Sequence, residues 1–194
     1  TFKLVKKIPN PSRIIDISAS TNPLDPFVYF CSNGLSVIDL RTMENLGPSR
    51  SMTNLTTSGA SFCEVSADGK IVYKLGQGSP TGFTALRLVN DFSSEIPKLD
   101  ILHHEHTSRG FYVVDPNGQY TSCGSIVYDS DLHGTAATMK FQPLCFFGNR
   151  PLIVGAEISS RHDRSGFTAL RFASYNTFAD VGRPLELPDN MKAN

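Results

Sequence analysis

The feature that most constrains this chain is an internal copy. Gly82-Phe83-Thr84-Ala85-Leu86-Arg87-Leu88 returns as Gly166-Phe167-Thr168-Ala169-Leu170-Arg171-Phe172. The offset is 166 − 82 = 84 residues, twice 42. A related apolar run, Ser125-Ile126-Val127-Tyr128-Asp129-Ser130-Asp131-Leu132, stands midway between the copies, and Gly34-Leu35-Ser36-Val37-Ile38-Asp39-Leu40-Arg41 precedes the first by 82 − 34 = 48 residues. Pro-rich and Ser/Thr-rich insertions absorb the surplus there. Four units of near-constant length imply one supersecondary element repeated, each copy burying a face against its neighbour.

Each copied strand follows two others joined by a turn. Phe62 to Val65 runs through Ala67-Asp68-Gly69-Lys70 into Ile71-Val72-Tyr73, and Asp-Gly between β-formers is a strong hairpin signal because both residues tolerate positive φ. Phe111 to Val114 turns at Asp115-Pro116-Asn117-Gly118 into Tyr120 to Cys123. Leu144 to Phe147 turns at Gly148-Asn149-Arg150-Pro151 into Leu152 to Ala156. In the first unit Ile14 to Ile17 and Phe27 to Cys31 flank Asn22-Pro23-Leu24-Asp25-Pro26, whose prolines exclude a helix. Twelve prolines and fifteen glycines interrupt every long stretch, and no window keeps the i, i+3, i+4 apolar spacing of a helix. The fold class is therefore all-β. Four four-stranded units at a period of roughly 40–45 residues describe a β-propeller, either a complete small ring or a segment of a larger one. A β-sandwich is the alternative, but it does not call for the repeat. The expected blades are residues 10–57, 58–107, 108–142 and 143–194 of one domain spanning 1–194. The run Phe2-Lys3-Leu4-Val5-Lys6-Lys7-Ile8 is the candidate closing strand if the ring is complete. A start at Thr1 reads as an excised piece, and an incomplete ring would self-associate to cover its end blades.

Alternate strand residues should face neighbouring sheets, which puts Ile15, Ile17, Phe62, Val65, Val113, Phe146 and Ile153 in the core. Cys31, Cys63, Cys123 and Cys145 lie in or beside apolar runs with no C-x-x-C spacing. They read as buried free thiols, which fits a reducing, cytoplasmic compartment.

The phrases Val37-Ile38-Asp39-Leu40-Arg41-Thr42 and Val65-Ser66-Ala67-Asp68-Gly69-Lys70-Ile71-Val72-Tyr73 resemble the strand-end and hairpin phrases of WD40-like and YVTN-like β-propellers. The chain has no Trp, hence no Trp-Asp dipeptide, and no Gly-His opening. The resemblance implies a ring of blades around a channel, loops on two faces, and a scaffold or interaction role.

Eighteen basic and eighteen acidic side chains cancel. That removes the field that draws proteins to nucleic acid or anionic membranes, and no apolar run approaches the roughly 20 residues of a membrane span. His103-His104-Glu105-His106 is the one crowding of metal-capable side chains. On a strand His104 and His106 share a face, so they are the candidate ligands, but only His133 and His162 could complete a site. A solvated strand end is the preferred reading, with no metal and no cofactor. Asp129 and Asp131 supply two carboxylates where a calcium loop needs five or more oxygens, so they are read as turn residues. Asp39 and Asp91 are read as turn formers accepting from nearby backbone N–H groups. Arg87 and Arg171 recur at matched repeat positions, which favours a structural contact. No nucleophile elbow, zinc helix, phosphate loop or dinucleotide fingerprint occurs. The residues thus point to a non-enzymatic binding platform for another macromolecule, most naturally a protein. A propeller hydrolase or lactonase with a channel metal and a glycan-binding propeller are the alternatives.

Overall fold

The computed structural model describes residues 14–31, 34–48, 60–76, 82–93, 97–106, 112–147, 150–158 and 167–188. Phe2 to Ile8 and His162 lie outside them. The chain divides into two compact units, Thr1–Thr107 and Ser108–Asn194, each built from two sheets.

The first unit contains β1 (Asp16–Ala19), β2 (Phe27–Cys31), β3 (Leu35–Asp39) and β4 (Glu44–Pro48) in one antiparallel meander. Its second sheet is β5 (Ala60–Val65), β6 (Ile71–Gly76), β7 (Gly82–Leu88) and β8 (Leu99–His106). The second unit contains β9 (Tyr112–Val114), β10 (Tyr120–Cys123), β11 (Ile126–Asp129) and β12 (Thr135–Thr138). It then adds β13 (Gln142–Phe147), β14 (Leu152–Ile158), β15 (Phe167–Ser174) and β16 (Leu185–Glu186). Neighbours in sequence are neighbours in every sheet, and no helix forms among the described residues. The four recurring runs become β3, β7, β11 and β15, the third strand of each sheet. β16 is a two-residue edge strand, as Pro184 and Pro188 on either side require.

Turn chemistry explains why the strands end where they do. Gly69 adopts φ +78° and Gly118 φ +70°, conformations that cost glycine nothing. Their N–H groups close the turns on Ser66 and Asp115, at 2.9 and 2.8 Å. Gly155 on β14 has a different duty: a Cβ there would run into the Phe141 ring and the Gln142 carbonyl, so only glycine lets that ring lie over the strand.

The core of the first unit fills the space between its sheets, with Phe27, Tyr29, Leu35 and Val37 facing Val65, Val72, Leu86 and Leu99. In the second unit Val127, Phe141, Phe146, Ile153 and Tyr175 cluster. Val65, Phe146 and Ile153 are buried as expected, and Val113 packs half-buried against its cluster. Ile15, Ile17 and Phe62 do not belong to the core: they are 51, 57 and 41% exposed. The strand register is the cause. β1 begins at Asp16, and it is the polar Asp16 and Ser18 that reach β5, accepting from the Cys63 and Val65 N–H groups at 3.0 and 3.1 Å. Ile15 and Ile17 therefore take the other side of the strand. On β5 a register shift between Ala60 and Phe62 precedes Cys63 and Val65, which take the face packed on β1 and β2. Cys145 is likewise exposed, whereas Cys31, Cys63 and Cys123 are buried; a shift between Pro143 and Cys145 turns Phe146 inward and the thiol outward.

The two phenylalanines separate these registers in one experiment. Phe146→Ala should cost about 3–5 kcal/mol in a denaturant titration, and Phe62→Ala about 1 kcal/mol or less, as expected for a partly exposed ring.

Candidate functional site

In an up-and-down sheet the turns that follow odd-numbered strands lie at one end. In the first unit the described residues of these turns are 20–26, 40–43, 66–70, 89–93 and 97–98, two turns from each sheet. Side chains of the first sheet tie them together. Asn22 Nδ2 donates to the Asp68 carbonyl at 2.8 Å and Thr21 Oγ1 to the Ala67 carbonyl at 3.2 Å. Arg41 Nη1 donates to the Phe92 carbonyl at 2.9 Å.

Arg41 is itself held from below. Asp39, only 2% exposed, accepts from the Arg41 backbone N–H at 2.8 Å and from Nη2 at 2.7 Å, while the guanidinium sits 5.3 Å from the centre of the Phe27 ring. The hydrogen bond from Arg41 holds the Asp39 carboxyl below the usual carboxylate range, outweighing its burial. Asp25 accepts from Ser20 Oγ at 2.7 Å and the Phe27 N–H at 3.0 Å. Burial nevertheless pushes its carboxyl up. A Cβ on Gly69 would come 2.5 Å from Asp25 Oδ2, so that glycine allows the two turns to close. Beneath them the Tyr29 hydroxyl is buried with no hydrogen-bond partner, and burial followed by the Asp25 charge pushes its pKa up.

The second unit ties two turns by a different pair. Tyr175, in the long β15–β16 connection, donates to Asp115 in the β9–β10 turn, and its ring meets Tyr120 edge-on at 5.3 Å. Asp115 also accepts from the Asn117 and Gln119 N–H groups at 3.0 and 3.1 Å.

No protein-family model matches the chain, and no curated protein matches it either. Among solved structures it is similar to the Cps50 (Swd1) β-propeller domain of Myceliophteria thermophila, with a TM-score of 0.57 and 11% identity over 76% of this chain. The fold is that of a β-propeller. The chain spans 49% of the length of that domain, so the likeness concerns fold alone.

Within each pair of blades the first strands pack on one another, β1 on β5 and β9 on β13. Glu64, on β5, is the most perturbed acid there. Burial, then the Asp16 carboxylate, raises its pKa to about 7. His104 and His106 stand opposite Thr84 and Gly82 on β8, with side chains outside the described residues. Among the described residues no group of three or more His, Cys, Asp or Glu is placed to hold a metal. Asp131 accepts from the His133 N–H at 3.2 Å and pairs with its Nδ1 at 3.0 Å, a turn arrangement. Asp39 and Asp91 act as the turn formers expected, Asp91 accepting from the Ser93 N–H at 3.0 Å. Arg171 bridges strands to Glu157 at 2.7 Å. The sheet-to-sheet reach of Arg41, Asn22 and Tyr175 escaped sequence reasoning; only the Asp39-x-Arg41 spacing hinted at a local pair.

The geometry is suited to recognition. Most polar groups of these turns bond their own backbone or the neighbouring turn, leaving Leu24, Leu40 and Val89 at 75, 47 and 50% exposure on a braced surface.

Arg41→Ala should cost about 1.5–3 kcal/mol, because it strips a buried carboxylate of its charged partner; chemical denaturation measures this. For Glu64, a raised pKa means that the fold prefers the neutral acid. Its favourable contribution is complete below the ordinary value of 4.5 and is lost as the pH climbs to about 7. Glu64→Gln should therefore match the wild type near pH 4.5 and exceed it by about 1–2 kcal/mol at pH 8, allowing for partial exposure. Equal stability of the two at pH 8 would contradict the assignment.

Proposed function

We propose that the chain is a non-enzymatic β-propeller platform, a small ring or a segment of a larger one within a single domain, whose turn surface recognises another protein. The observation that carries this reading is the braced turn end of the first unit. There Asn22, Thr21 and Arg41 lock the turns of two blades while Leu24, Leu40 and Val89 stay open to solvent. A surface ordered before binding loses little conformational entropy on association, which is how rigid loops gain affinity. Apolar side chains flanked by the exposed Asp68 and Lys70 have the mixed character of a protein contact more than the basic one of a nucleic-acid contact. The resemblance of Val37 to Thr42 and of Val65 to Tyr73 to WD40-like and YVTN-like phrases supports the same reading, since those propellers usually serve as scaffolds.

The test is proximity labelling in cells with quantitative mass spectrometry, comparing the wild type with a Leu24→Asp, Leu40→Asp, Val89→Asp variant. At least one protein should fall about tenfold in the variant, the effect of about 1.4 kcal/mol of lost contact, with the melting temperature unchanged. An identical set of labelled proteins from a folded variant would sink the proposal.

A further inference from the structure

Within the apolar cluster between the two blades of the first unit lies a buried group of sulfur and nitrogen that plays no part in the turn surface. Cys31 is the last residue of β2 and is 0% exposed; Cys63 on β5 is 2% exposed. Cys31 stands directly opposite Asp16 in the β1–β2 ladder. The Cys63 sulfur rests on that ladder, 3.9 Å from the Asp16 carbonyl oxygen and 3.6 Å from that of Tyr29, two residues before Cys31. The two thiols hydrogen-bond across the seam between sheets. Lys74, 4% exposed, is the register partner of Cys63 on β6 and so shares its face.

We propose that Cys31 and Cys63 are an oxidation site at which a peroxide forges a disulfide between the first two blades, with Lys74, on the same face, as the amine that assists loss of the attacking thiol's proton. The Cys31 sulfur attacks one oxygen of hydrogen peroxide, the O–O bond breaks, and the thiol proton leaves with the departing oxygen as water. The Cys63 sulfur then attacks the sulfenic sulfur of Cys31. The S–O bond breaks, and its oxygen leaves as a second water with the Cys63 proton. Two thiols lose two electrons and one peroxide gains them. The assignment of roles follows from the surroundings. The hydrogen bond with Cys31, then burial, pushes the Cys63 thiol up, which suits the resolving partner, and burial lowers the pKa of Lys74, which suits an amine that takes up a proton. Both sulfurs are sealed, so the peroxide enters when the blades part at this end, and the reaction is slower than oxidation of exposed Cys145. Once formed, the bond closes a loop of 63 − 31 = 32 residues and restricts the unfolded chain.

The experiment treats the full chain with excess hydrogen peroxide, blocks remaining thiols with an alkylating reagent, and maps peptides without reduction. A peptide pair joining Cys31 to Cys63, two hydrogens lighter than the separate thiols and split by dithiothreitol, is expected. With it the melting temperature should rise by several degrees. Cys63→Ser should abolish the pair, and Lys74→Gln should slow its formation several-fold without changing the rate at Cys145. Alkylated Cys31 and Cys63 after Cys145 has been fully oxidised would overturn the proposal, as would separate sulfinic or sulfonic acids at the two positions. A Lys74→Gln chain that forms the bond at the wild-type rate would remove Lys74 from it. Should a variant fail to fold, the map of the wild-type chain decides.

Discussion

The arrangement of the first unit depends on two hydrogen bonds from side chains of one sheet to the backbone of the next. Asp16 and Ser18 on β1 accept from the Cys63 and Val65 N–H groups on β5. Apolar burial holds the blades together but has no direction, and Phe27, Tyr29 and Val37 would meet Val65 and Val72 about as well with one strand slid along the other. Backbone donors do have direction. An inner strand whose N–H groups are taken by the neighbour's carboxylate and hydroxyl can sit in one register only, because a slip would bury unpaired donors. The facing thiols, the position of Glu64 and the alignment of the turns all follow from that register.

The turn end works on the same logic with longer side chains. Arg41 is useful because its planar guanidinium can satisfy buried Asp39 on one edge and still reach the Phe92 carbonyl with another nitrogen. Asn22 and Thr21 donate to carbonyls that a tight turn leaves without ladder partners. Each bond spans 46 to 51 residues of sequence, so each pins one repeat to the next. The second unit reaches a comparable end through Tyr175 and Asp115, an aromatic hydroxyl on a carboxylate in place of a guanidinium. Different residues thus perform the same bracing in two pairs of blades, which is how a repeat fold can lose its sequence signature while keeping its period.

Much of the fold was legible in the sequence because strand number, turn position and period are local properties. Asp68-Gly69 and Asn117-Gly118 announce positive φ at a known place, and the recurring Phe-Thr-Ala-Leu-Arg run became part of the third strand in both of its sheets. The self-contained turns of Asp39 and Asp91 were legible for the same reason, since their partners lie within two residues. Three core positions were misread. Alternation along a strand says that Ile15 and Ile17 share a side of β1 and that Asp16 and Ser18 share the other. It does not say which side meets the neighbouring sheet. Hydrophobicity suggested the isoleucines, and the backbone donors of β5 required the polar pair.

By itself, then, the sequence determined an all-β chain of four repeated units, where its hairpins turn and which residues share a side of each strand, because these depend on φ preferences and on a period of two. Which side faces inward, which turns are tied together and which thiols meet were decided by tertiary structure alone. Those outcomes rest on bonds between residues dozens of positions apart, Asp16 with Cys63 and Arg41 with Phe92. No local pattern in the chain encodes the distance across which they are made.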